Sequence, residues 1–192
     1  CLFVEMTVDA DGRKLSHRFG RGLMRSFARL TYTQVQQAKD EGSTPEGVPP
    51  ELIGALYGAF RALLGARRDR GTLDLDLPER KVVLDEAGKV AEIKPRPRLD
   101  SHRLIEEFMV LANVAAAEEL ERLRQPAQYR VHAPPSDEKL ENLRGFLSTL
   151  GLSLKPGGEL RPADLDAVLQ AVAGTEAAPQ VNEAVLRAQM QA

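Results

Sequence analysis

The residues with the best claim to chemistry lie between Arg13 and Arg29. Six Lys or Arg fall there without one Asp or Glu, in a chain whose net charge is −2. A local cationic run of this kind suits phosphates, and each one held on a single strand adds roughly 0.7 to the salt dependence of binding. The run ends on "RSFARLTYTQV", residues 25–35, where Arg25 and Arg29 precede a single aromatic, Tyr32. Tyr129 stands in "QYRVH" with Arg130 beside it. A flat ring next to a guanidinium is what an unpaired nucleobase needs, and each stacked base contributes about 1–3 kcal/mol. The plain alternatives are a solvated strand face for the arginines and two half-buried phenols for the tyrosines. On residue types alone both readings stand, and a nucleic-acid-contacting segment is one of them.

The other reactive residues are less suggestive. Asp74, Asp76 and Glu79 could hold a hard cation, but alternation with Leu73, Leu75 and Leu77 already accounts for them as a polar strand face. His17, His102 and His132 lack a short ligand spacing. Ser16 and Ser101 lie beside two of them without the glycines of a nucleophile elbow, so surface or capping roles fit better than hydrolysis by serine. Glu106, Glu107, Glu118 and Glu119 could pair for acid–base work; the simpler reading is the solvated stripe of one helix.

The elements that must carry these residues follow from pattern and punctuation. Strands are expected at 1–8 and 14–20 around the turn "DADG", 9–12. Residues 21–32 alternate as a strand, although the arginines also suit one helix face; Arg29 and Thr31 favour a strand that ends where a helix from about 32 to 40 begins. After a loop at 43–50, Pro50 opens a helix closed by Gly71. "TLDLDL", 72–77, reads as a strand, and "KVVLDEAGKVAEIKP" as a hairpin turning at "DEAG". The longest helix spans about 101–124, capped by Asp100 or Ser101, with Leu104, Ile105, Phe108, Leu111, Ala112, Ala115 and Leu120 inward. Residues 128–134 are a short strand or extended turn. Ser136 caps a helix to Leu150 that Gly151 ends, Pro162 starts another that stops near Gly174, and a last one begins near Pro179. The fold class is α+β, with strands and hairpins in the first half and helices in the second.

The chain has 192 residues, 43% hydrophobic and 28% charged, enough for a core that buries roughly 70% of the unfolded surface. The lone Cys1 makes neither an internal disulfide nor a cysteine zinc site, which fits a reducing compartment. No apolar run reaches the length of a membrane span, and the first residues lack a signal-peptide core. The opening "CLFVEM" and the closing "VNEAVLRAQMQA" read as the edges of a segment from a longer protein.

Several stretches together resemble one family. "VEMTVDADGRKLSHRF", "MRSFARLTYTQV", "RRDRGTLDLDLPE", "LDSHRLIEEFMVLANVAAA", "PAQYRVHAPPSDEKL" and "LRAQMQA" are similar to the ribonuclease II / ribonuclease R family of 3′→5′ exoribonucleases, in order and over nearly the whole chain. The resemblance implies the middle-to-late part of one RNB-type catalytic domain, residues 1–192, from a processive enzyme that hydrolyses single-stranded RNA to nucleoside 5′-monophosphates. It implies a channel that threads the strand and stacks its 3′ end between aromatic rings. Tyr32 matches the tyrosine of the family's "ARLTY", and Tyr129 the aromatic of its "P-A-x-[FY]-R-x-H" stretch; Arg25, Arg29 and Arg130 are the accompanying RNA-binding candidates. The cofactor implied is Mg2+, as two ions about 4 Å apart. The family's metal-binding aspartates are expected upstream of Cys1, so no catalytic or metal-binding residue is assigned here and the segment alone is expected to be inactive. A cytoplasmic monomer with no membrane partner goes with this reading. The rivals are a non-catalytic RNA-binding relative and a structural helical module. The sequence departs from the family in "GRG", 20–22, where relatives carry bulkier or acidic residues, and in Phe27, where many carry His; paired glycines weaken a strand.

Overall fold

The computed structural model describes residues 1–75, 77, 79–154 and 160–190. In chain order the elements are β1 Leu2–Val8, β2 Lys14–Arg21, α1 Tyr32–Glu41, α2 Pro50–Asp69, β3 Arg80–Leu84, β4 Val90–Pro95, α3 Asp100–Arg122, α4 Asp137–Thr149, α5 Pro162–Val172 and α6 Ala178–Ala188. The α+β expectation, strands early and helices later, is what the fold shows. The chain divides into two compact units, one of residues 1–69 and 98–128, the other of 70–97 and 129–192.

In the first unit, β1 and β2 form an antiparallel hairpin. Its turn is built by one side chain: Asp9 Oδ1 accepts from the backbone N–H groups of Asp11 and Arg13 at 3.0 and 2.8 Å. Gly12 sits at φ 78°, and a Cβ there would come within 2.1 Å of the Ala62 carbonyl oxygen, so the hairpin tip lies directly on the α2 backbone. Only glycine supplies both the left-handed φ and the clearance. β2 continues through Gly20 and stops at Arg21. At Gly20 the Phe3 ring lies over the backbone, where a Cβ would meet it at 2.5 Å and push that exposed ring aside.

The expected strand over 21–31 does not form; residues 22–31 carry no regular structure. The alternation is real, but the only ladder available to it pairs β1 with β2. Leu30 packs against the core while Leu23, Met24 and Phe27 stay exposed. The helix that follows starts where expected. Thr31 is its N-cap, with its hydroxyl accepting from Gln34 N–H and Gln34 Oε1 accepting from Thr31 N–H at 2.8 Å, a reciprocal capping box. Gly42 closes it at φ 64°.

Val48 and, from α2, Ile53, Tyr57 and Phe60 bury against Ala38 of α1 and Leu104 of α3. Tyr57 and Phe60 meet edge to face, with ring centroids 6.1 Å apart. Two expectations for α3 fail. Its N-cap is Leu99 rather than Asp100 or Ser101, and Ile105 and Leu120 are exposed. The periodicity marks a wide apolar stripe, whereas burial along that stripe is complete only at Leu104 and Ala115 and partial at Phe108, Leu111 and Ala112. Glu107 is also displaced from the solvated stripe. It is buried, and Arg67 of α2 donates to it at 2.8 Å.

The second unit packs α4, α5 and α6 around Leu143, Leu147, Leu165, Val168, Leu169, Val181 and Val185. The start signals act locally as read: Ser136 caps α4, Gly151 follows it at φ 71°, and Pro162 is the first residue of α5. Residues 72–75 and 77 are not a strand. Leu73 and Leu75 still pack against this core, so the alternation records which side is buried without recording a ladder. β3 and β4 form the second hairpin, whose turn repeats the first one's solution: Asp85 Oδ1 accepts from Ala87 and Lys89 N–H, and Gly88 has φ 75°.

Candidate nucleic-acid interface

Tyr32 is the first residue of α1, and its placement is fixed from the first turn of α3. Ser101, 2% exposed, donates its hydroxyl to the Tyr32 carbonyl oxygen at 2.8 Å. The Ser101 N–H donates to Gln36 Oε1 at 3.1 Å, and the Tyr57 hydroxyl reaches the same oxygen at 3.4 Å. Burial pushes the Tyr57 phenol above its ordinary pKa, which keeps it protonated as a donor. The backbone at Tyr32 is therefore held by a buried polar network whose members each have a partner.

The Tyr32 ring lies outside that network. It stacks on the His102 imidazole with centroids 4.3 Å apart and planes 28° from parallel, and the residue is 43% exposed. His102 covers one aromatic face, and the residue as a whole stays exposed. The opposite outcome, a ring sunk among leucines, is not what the structure shows. His102 itself is oriented by Leu99, whose N–H donates to Nδ1 at 3.1 Å. The capping role expected for a histidine is present; the stack with Tyr32, 70 positions away in the chain, carried no sequence signal.

Two cations of the basic run are paired within the fold. Lys14 donates to Glu118 at 2.6 Å and to His17 Nδ1 at 3.0 Å, and Arg18 pairs with Glu5. His17 also lies 3.5 Å from Glu119, whose carboxyl Arg122 holds down to about 2 through a hydrogen bond. These cations are occupied with the fold's own carboxylates, as are Glu118 and Glu119 with them. Arg25 and Arg29 differ: both are exposed on the irregular run leading to Tyr32, and neither meets a carboxylate among the described residues.

In the second unit Tyr129 is 55% exposed and Arg130 is exposed, on an extended segment before α4. That segment is tied to the end of the chain, where His132 Nδ1 donates to the Met190 carbonyl at 2.8 Å. Among the described residues no three His, Cys, Asp or Glu converge on a possible metal site. Asp74 instead offers its backbone N–H to Asp166 at 3.4 Å, and Asp76 lies outside the described residues. Among the described residues no helix is long and apolar enough to cross a membrane.

The fold is α+β, with the Tyr32–His102 ring pair at its surface and two exposed arginines on the segment that precedes it. The chain is a member of the RNB domain family, whose model matches residues 1–192. It is 34% identical over 195 residues to ribonuclease R of Vibrio parahaemolyticus serotype O3:K6, covering 100% of this chain and 23% of that protein. To ribonuclease R of Aquifex aeolicus it is 36% identical over 195 residues, covering 98% and 27%. The chain thus spans about a quarter of the length of the curated relatives it matches. The solved structure of Mycoplasma genitalium RNase R in complex with ribose methylated single-stranded RNA superimposes with a TM-score of 0.90 at 22% identity, over 97% of this chain and 30% of that one. That likeness establishes the shared fold.

Proposed function

We propose that this chain is the middle-to-late part of one RNB catalytic domain and forms a stretch of RNA path in a processive 3′→5′ exoribonuclease. Tyr32 offers a stacking face to a base near the 3′ end, Tyr129 offers a second, and Arg25, Arg29 and Arg130 neutralise the adjoining phosphates. The observation that carries the reading is the Tyr32 ring, backed on one face by His102 and 43% exposed. Kinship with proteins named ribonuclease R, one of them solved with single-stranded RNA, supports RNA as the partner. Stacking does not distinguish bases, so broad sequence tolerance follows.

Hydrolysis to nucleoside 5′-monophosphates would use magnesium, with ligands outside these residues; the protein would act as a cytoplasmic monomer. The 192 residues alone are expected to release no nucleotide from a single-stranded RNA in magnesium buffer, and robust degradation by a clean preparation would refute this. For the intact parent, degradation of the same RNA supports the enzyme, whereas binding without degradation makes it an RNA-binding relative.

The phosphate role has its own test. Replacing both Arg25 and Arg29 with alanine should reduce the slope of log affinity against log salt by about 1.4, from roughly 0.7 per single-strand phosphate contact. An unchanged slope removes these two arginines from the RNA path.

A further inference from the structure

We infer that His102 is a positioning residue for Tyr32: its imidazole holds the phenol ring in one plane and makes the platform one-sided. The inference rests on the stacking role proposed for Tyr32. A half-exposed tyrosine at the first position of a helix has two side-chain torsions to restrain, and a base that stacks on a swinging ring must order it first. Here the restraint already exists. Leu99 N–H donates to His102 Nδ1 at 3.1 Å, so in the neutral ring Nε2 carries the proton and the imidazole plane is set by the α3 backbone. That plane lies 28° from the Tyr32 ring with the centroids 4.3 Å apart, a close stacked pair. The preceding residue, Ser101, pins the Tyr32 carbonyl at 2.8 Å. Two consecutive residues of α3 thus hold the backbone and the ring of one residue of α1. A base then has a single face to occupy and completes a row of three rings, His102, Tyr32 and base.

Two substitutions separate this role from mere capping. His102→Phe keeps a flat ring behind Tyr32 and loses the acceptor for Leu99 N–H. His102→Asn keeps a polar acceptor and loses the ring. The intact parent is titrated in EDTA with fluorescent single-stranded oligo(A) RNA, with thermal unfolding followed alongside. The expected result is that His102→Phe binds within about twofold of wild type, whereas His102→Asn binds roughly threefold to tenfold more weakly, the size of one aromatic pair. In a Tyr32→Ala background, His102→Asn should cause no further loss of binding. The reverse order, with Asn like wild type and Phe impaired, overturns the inference and leaves His102 a cap. Weaker binding by Tyr32→Ala together with wild-type binding by His102→Asn overturns it while the stacking role of Tyr32 survives. If Tyr32→Ala itself binds normally, the stacking role fails and this inference falls with it.

Discussion

Tyr32→Ala in the intact parent should weaken binding of a short single-stranded RNA by about 1–3 kcal/mol, a factor of roughly 5 to 150. A base loses one whole stacking partner, because His102 lies behind the ring and does not reach through it. If the parent digests RNA as proposed, its final product should change in length, because one stacking partner fewer would hold the shortened strand. Stability should change far less. The ring is 43% exposed, so the loss is part of its burial and one aromatic pair, about 1 kcal/mol. The checks are affinity in EDTA, the length of the terminal product in magnesium, and the thermal midpoint. Unaltered end products together with unaltered affinity would sink the stacking role.

Phe60→Ala should show the opposite signature. Phe60 is 2% exposed and sits at the centre of the first unit's core, edge to face with Tyr57. Its removal deletes the largest fully buried side chain and leaves a cavity, at a cost of about 3–5 kcal/mol. That is a large fraction of what holds any domain together. Tyr57 hydrogen-bonds Gln36, which accepts from Ser101, and neither bond uses the Phe60 ring, so the network beneath Tyr32 should persist in the molecules that stay folded. Affinity for RNA should fall only as far as the folded fraction falls, and low temperature or stabilising osmolyte should recover it. Denaturant unfolding of the parent, followed by hydrogen exchange in α1–α3, measures the loss. A shift below about 1 kcal/mol would show that this core is not what carries α1 and α3.

The two substitutions together separate what the domain does from what keeps it folded. A residue that acts on RNA changes affinity at constant stability, and a residue of the core does the reverse. Under the proposed function Arg25 and Arg29 fall with Tyr32 in this division: both are exposed and neither meets a carboxylate among the described residues. Lys14 and Arg18 belong to the fold, where Glu118 and Glu5 neutralise them. A basic run in a sequence is thus not one surface: Lys14 and Arg18 are paired within the fold, and Arg25 and Arg29 are not.

What the sequence determined by itself is everything that local hydrogen bonding controls. Pro50, Ser136 and Pro162 begin helices, and Gly42 and Gly151 end them. Asp9 with Gly12, and Asp85 with Gly88, each make a hairpin turn. These signals act within four or five residues, so they are legible without a fold. The family motifs were legible for the same reason, as short ordered strings. Tertiary structure decided whatever needs a partner far along the chain. Residues 23–31 and 72–77 alternate like strands, but alternation reports only which side faces a core; a strand also needs a neighbour to accept its backbone hydrogen bonds, and no strand pairs with the described residues there. Glu107 looked solvated until α2 brought Arg67 to it. The pairing of Tyr32 with His102 joins two helices across 70 residues of chain. No local pattern encodes that contact, because it exists only once the buried residues of α1, α2 and α3 have chosen their faces.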